Sequence, residues 1–122
     1  LGAETILDEA DLDAIKAVAT PKAKFLIKIS SALLKFHEIY FGDVGLELPD
    51  PCAVAVALRP ELVLNAYTAN VTIDTSGSLS YGQTVVNTKG GTVLEDQIYH
   101  ANVSIVSAID GKGFKTMIQE AL

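Results

Sequence analysis

Up to residue 41 the apolar positions recur at intervals of three and four; beyond residue 62 they recur at intervals of two. That change of period predicts helices first and strands after. In LDEADLDAIKAVATP, Leu12, Ile15, Val18 and Ala19 make a helical stripe. Asp8 stands as its cap, with Asp11 three residues on, and the early acidic residues suit the positive end of a helix dipole. This predicts a helix over 8–19. Thr20-Pro21 then ends it and opens another, with Thr20 as N-cap and Pro21 at the first helical position. Within KAKFLIKISSALLKFHEIYF, residues Phe25, Ile29, Leu33, Phe36 and Tyr40 share one face, and Lys22, Lys24, Lys28 and Lys35 are expected mostly outside. The helix is predicted over 21–41, with Gly42 as its terminator.

A loop, GDVGLELPD, leads into PCAVAVALRPEL. The helix predicted here, 51–58, is apolar on every side and is therefore expected to be buried. Asp50 would be its N-cap and Pro51 its first residue. After Pro60 the alternating, Val- and Thr-rich runs predict strands near 63–74, 82–88 and 101–109, separated by Gly-containing turns. The closing segment GKGFKTMIQEAL predicts a helix over 111–121, with Phe114, Met117, Ile118 and Leu122 on one side. The class is α/β.

Composition narrows the function classes. A length of 122 residues allows one modest domain, and 49% apolar with 20% charged residues is ordinary for a globular core. The net charge of -6 argues against a general nucleic-acid binder, which needs clustered Lys and Arg for phosphates. The single cysteine, Cys52, excludes an intrachain disulfide and a Cys-based zinc site, and fits a reducing, cytoplasmic compartment. No apolar run approaches bilayer-spanning length, so no membrane partner is expected. Two N-x-[ST] sequons, at Asn70 and Asn102, lie in strand-like stretches and read as chance matches. The chain opens on LGAETI rather than Met and reads as a piece cut from something longer.

Asp50, held between Pro49 and Pro51, is the sharpest candidate for chemistry. Capping explains it most simply, since an aspartate before a helix satisfies orphan N–H groups. Its functional reading is a metal ligand, because hard divalent cations take carboxylate oxygens in fixed geometry. His37 lies beside Phe36, one turn before Tyr40 and Phe41. It reads either as a packed histidine or as a hydrogen-bonding group in a pocket near Asp50. His100 reads as a surface residue and Cys52 as a small buried hydrophobe. Phosphate-binding glycine loops, H-E-x-x-H and G-x-S-x-G are all absent from the sequence.

The order of segments carries more than any one of them. LPDPCAVAVALRPELV, then YTANVTIDTSGSLSYGQTVVNT, then ANVSIVSAIDGKGFKTMIQEAL resembles the C-terminal portion of the inosine-uridine preferring nucleoside hydrolases. TILDEADLDAIKAVATPKAKFL resembles the two helices before that motif. The resemblance covers nearly the whole chain. It implies a Rossmann-like fold with a mostly parallel sheet, in which residues 1–122 are one C-terminal segment and the N-terminal metal-cluster part is absent. It also implies hydrolysis of the N-glycosidic bond of purine or pyrimidine ribonucleosides by calcium-activated water, in a homo-oligomer (dimer or tetramer) serving nucleoside salvage. Asp50 matches the family's late calcium ligand. His37 and Tyr40 fall on the helix that lines the base pocket in the family, and His37 is the preferred base contact.

This sequence departs from the family in two places. Pro49 stands where many members carry a histidine, and Thr5 is followed by Ile6 rather than histidine. The general-base aspartate and the N-terminal aspartate signature are not in these residues, so no catalytic residue is assigned within the segment. The chain alone is accordingly expected neither to hold calcium tightly nor to turn over nucleosides. The rival reading is a non-catalytic degenerate homologue, or a nucleoside-binding or oligomerisation domain.

Overall fold

The structure, a computed structural model, describes residues 2–42, 45–88, 93–94, 97–98 and 100–122. The helices are α1 (Gly2–Thr5), α2 (Glu9–Val18), α3 (Pro21–Phe41), α4 (Pro49–Leu58) and α5 (Gly111–Ala121), with a 3₁₀ turn at Pro60–Leu62. The strands are β1 (Val63–Ile73), β2 (Thr84–Asn87), β3 (Val93–Leu94), β4 (Gln97–Ile98) and β5 (Val103–Ile109). These divide into two compact units, residues 1–64 with 109–122, and residues 65–108.

The first unit is helical. Asp8 caps α2 by accepting from the Asp11 N–H at 3.0 Å, while Asp11 Oδ2 accepts from the Asp8 N–H at 3.1 Å, so the expected capping box forms. Thr20 caps α3 through Ala23, with Pro21 in the first turn, and Gly42 closes the helix in the left-handed conformation. Leu12 and Ile15 of α2 are buried with Leu7, Ala23 and Leu46 in one cluster, against which Leu26, Ile27, Leu34, Ile118 and Leu122 pack. Helix α5 adds Phe114, the largest fully buried side chain. Lys115 of the same helix donates to Asp11 at 2.5 Å and lies 3.5 Å from Asp8. The hydrogen bond to Asp11 outweighs desolvation and holds the Lys115 ammonium above its ordinary pKa. Two further bonds tie α3 to the chain's last residues, from Thr20 Oγ1 to the Leu122 carbonyl and from Lys22 Nζ to the Ala121 carbonyl.

Two expectations about burial are overturned in this unit. The stripe Phe25, Ile29, Leu33, Phe36 and Tyr40 is exposed, and α3 packs inward instead through Ala23, Leu26, Ile27, Ser30 and Leu34. Helix α4 is buried only along Cys52 and Ala55, while Val54 and Leu58 stand in solvent. The helices carry more apolar surface than the neighbours in these residues can cover.

The second unit is built on a sheet in the order β2-β1-β5. β1 and β2 pair antiparallel, from Asn70 opposite Asn87 to Ile73 opposite Thr84. β5 also runs against β1, since Asn102 bonds to Ala69 and Val71 whereas Ser107 reaches Asn65. β3 and β4 form a small antiparallel ladder. The described strands are thus antiparallel, where a mostly parallel sheet was expected. The physical reason is local: the short Asp74–Gln83 turn can return a chain only antiparallel, since a parallel partner needs a long crossover. Part of the predicted 82–88 strand's C-terminal glycine turn, residues 89–92, lies outside the described residues.

Both sequon asparagines are spent on this sheet. Asn70 Nδ2 donates to the His100 carbonyl at 2.8 Å. Asn102 receives the Val71 N–H at 2.8 Å and returns a donor to the Val71 carbonyl at 3.0 Å, imitating a backbone pair with its side chain.

The β1–β2 turn is organised by one carboxylate. Asp74 accepts from the Ser76 N–H and from the hydroxyls of Ser76, Ser78 and Ser80 at 2.5–2.8 Å. Those hydroxyls, Ser76 first, hold its pKa well below the usual carboxylate range. A group depressed on folding stabilises above its unfolded pKa, about 4 for aspartate, and loses that contribution as the pH falls toward its folded value. The Ser76 amide resonance should therefore keep its folded position as the pH is lowered through 4 and move only well below it. In Asp74→Asn the same resonance should lie elsewhere at neutral pH and stay flat. A Ser76 titration with an ordinary midpoint near 4 would contradict this arrangement.

Candidate functional site

The approach to α4 is fixed before any side chain of interest is reached. Leu7 and Leu46 form an isolated antiparallel bridge, N–H to carbonyl at 3.1 and 3.0 Å, and both side chains are buried. Gly45, just before, sits so close to Ile6 that a methyl there would lie 2.9 Å from Ile6 Cγ2, with His37 Nδ1 of α3 in ordinary contact at 3.6 Å. Leu48 then becomes the N-cap residue, and the helix starts at Pro49.

Asp50 is consequently not the N-cap it was expected to be. It occupies the second helical position, and no side-chain bond caps α4. A proline at the first position has no N–H to satisfy, and Pro51 removes another of the orphan donors, so this helix start has little need of a capping carboxylate. The Asp50 side chain is exposed. It stands at the positive end of a ten-residue helix, where negative charge is favoured. The capping explanation for this residue falls, and its carboxylate is available to something else.

His37 is packed on the side of α3 that faces this approach. Its side chain is 13% exposed, its ring lies 4.7 Å from that of Phe41, and Nε2 is 3.9 Å from Glu47 Oε1. Glu47 was not singled out in the sequence. Its position three residues before Asp50, in the segment that returns past the end of α3, is the only signal that pointed to it. Tyr40 lies one turn on from Phe36, with ring centroids 4.4 Å apart, and is 70% exposed. Of the two predicted base contacts, His37 is held in place by its surroundings and Tyr40 is the more open. His100 is exposed and Cys52 buried, as read from the sequence.

The resemblance implies a calcium ion. Calcium takes six to eight oxygens, mostly from carboxylates and carbonyls. Among the described residues no three His, Cys, Asp or Glu side chains come together for a metal ion. The described residues do not by themselves fit calcium; Asp50 offers one carboxylate. No helix among them is long and apolar enough to cross a membrane.

Comparison with known proteins assigns this arrangement to a family. Residues 2–116 match the model of the inosine-uridine preferring nucleoside hydrolases. The chain is 33% identical over 118 residues to a pyrimidine-specific ribonucleoside hydrolase RihA of Shewanella sp. (strain ANA-3), covering 96% of this chain and 35% of that protein. It is 26% identical over 114 residues to the RihA of Salmonella gallinarum (strain 287/91 / NCTC 13346), covering 93% and 35%. Among solved structures, the plant nucleoside hydrolase PpNRh1 superposes with a TM-score of 0.81 at 17% identity, over 96% of this chain and 37% of that one. An inosine-guanosine nucleoside hydrolase gives 0.73 at 20% identity, over 95% and 34%. The chain thus spans about a third of the length of the relatives it matches. The match to the inosine-uridine preferring nucleoside hydrolases takes in nearly all of these residues, and the chain belongs to that family.

Proposed function

We propose that this chain is one segment of an enzyme that hydrolyses the N-glycosidic bond of ribonucleosides to free base and ribose. The observation that carries the reading is the family match over residues 2–116, supported by relatives named as ribonucleoside hydrolases. Within the segment, Asp50 is one oxygen donor toward a calcium ion whose remaining donors lie outside these residues. The Leu7–Leu46 bridge and the two prolines support that role, because they fix the carboxylate without engaging it. His37 and Tyr40 contact the base. His37, braced by Phe41, Gly45 and Glu47, would present a ring of defined orientation to a planar heterocycle, while Tyr40 adds an open aromatic face and a hydroxyl.

Release of reducing sugar from uridine, cytidine and inosine tests the reading. The hydrolase that contains this segment should release ribose from at least one of them, and the 122 residues alone should release none. Binding of nucleoside without sugar release by the complete protein would replace hydrolysis with simple recognition. His37→Ala in the complete enzyme should lower kcat/KM by roughly 10- to 100-fold, about 1.4–2.7 kcal/mol. Unchanged kinetics would remove His37 from the base pocket.

A further inference from the structure

His37 and Glu47 meet from two stretches of the helical unit that are held independently. His37 stands on α3, its ring packed 4.7 Å from that of Phe41. Glu47 lies between Leu46, pinned to Leu7 by two backbone bonds, and Leu48, the N-cap residue of α4. Its place is therefore fixed on both sides, while its side chain stays exposed. Glu47 Oε1 stands 3.9 Å from His37 Nε2.

That separation is too long for a hydrogen bond and short enough for the charge to be felt. A carboxylate so placed favours the imidazole hydrogen on Nε2, because a lone pair there would face negative charge. His37 then offers a donor and Glu47 an acceptor, side by side and not satisfied by each other. One ligand edge carrying the opposite pair can bridge them. The edge of a nucleobase away from the sugar is of this kind: N3–H adjoins carbonyls in uracil, and N1–H adjoins one in hypoxanthine. A base edge with lone pairs alone would turn one of them toward the Glu47 carboxylate and leave it unpaired.

We infer that Glu47 is a specificity-determining residue of the base pocket, accepting from a base N–H while His37 Nε2 donates to the neighbouring carbonyl or ring nitrogen. The class selected is ribonucleosides whose base carries a donor next to an acceptor on that edge. The bond to Glu47 is charge-assisted and so the stronger of the two. This inference rests on the placement of His37 in the base pocket. Its test reads the binding of free bases rather than sugar release, so it and the hydrolytic reading fail separately.

Isothermal titration of the complete hydrolase compares uracil with 3-methyluracil and hypoxanthine with 1-methylhypoxanthine. Each methyl group removes the N–H and leaves the carbonyls in place. In at least one pair the parent base should bind at least about 10-fold more tightly. Glu47→Ala should bring that pair within about threefold, by weakening the parent base and not the methylated one. Glu47 is exposed, so this variant should keep the circular dichroism and unfolding midpoint of the unaltered protein. Equal affinities within both pairs would overturn the inference. So would a methyl penalty that persists in Glu47→Ala, which assigns it to the shape of the pocket. Narrowing through tighter binding of the methylated base would make Glu47 a steric gate and also overturn it. His37→Ala separates the two readings: parent binding weakened there but not in Glu47→Ala removes Glu47 alone, whereas binding unchanged in His37→Ala removes both contacts.

Discussion

Replacing Phe114 by alanine should cost the helical unit about 3–5 kcal/mol, the range for deleting a large aromatic from a sealed core. Phe114 has no exposed surface and is the largest side chain buried to that degree. It lies in the first turn of α5, directly after Gly113, whose own missing side chain is explained by Leu62: a methyl at Gly113 would come within 2.7 Å of Leu62 Cδ2. Domains of this size hold only about 0.05–0.15 kcal/mol per residue in total, so the loss takes much of the stability available. Thermal unfolding followed by circular dichroism should show a midpoint lowered by more than about 10 °C, or no cooperative transition. Phe25→Ala removes a side chain of the same kind from the exposed stripe and should change stability by no more than about 0.5 kcal/mol. Equal effects at the two positions would mean that the faces of the helices are wrongly assigned.

The second large effect is expected on activity. In the complete hydrolase, Asp50→Asn keeps the shape of the side chain and removes its charge, and kcat/KM should fall at least about 100-fold, or 2.7 kcal/mol. Stability decides between the two roles that an aspartate can have at a helix start. Loss of a capping carboxylate costs about 0.5–2 kcal/mol, whereas a surface residue outside such a role changes stability by less than about 0.5. Asp50 makes no capping bond in α4, so Asp50→Ala in the 122-residue chain should leave the unfolding midpoint almost unmoved. Activity lost with stability kept assigns the residue to the site. Stability lost with activity kept would return it to the role of a cap.

The elements were largely legible in the sequence, and their partners were not. The helices over 8–19, 21–41 and 111–121 were set by strong local signals: Asp8 with Asp11, Thr20 with Pro21, and Gly42 at φ 77°. Strand β1 was legible from its alternation and its β-branched content. The start of α4 was misread by two residues, because Asp50 before Pro51 is a good cap signal and the earlier Pro49 is an equally good first residue. The inward face of α3 was misread for a different reason. The stripe with the larger, aromatic residues looked like the core, while the true inward face uses Ala23 and Ser30, small residues that let α2 approach. A helix with two apolar stripes does not declare from its own sequence which one is occupied. Asp50 was legible as a candidate from its prolines; Glu47 was not, since nothing but the fold brings it to His37.

One structural detail bears on how the chain reaches this state. The helical unit is made from residues 1–64 and 109–122, joined by bonds such as Thr20 to Leu122 and Lys115 to Asp11, each spanning more than 100 residues of chain. Contacts of that separation are slow to form, because the entropy of closing the loop precedes any reward. During synthesis α2 and α3 emerge before α5 and must wait for Ile118 and Leu122 before their buried faces are sealed. For that interval Leu12, Ile15 and Leu26 stand open beside the aromatic stripe, and a growing chain would be most vulnerable to misassociation at this stage. A chaperone acting on this protein would therefore matter most between the appearance of α3 and the docking of α5.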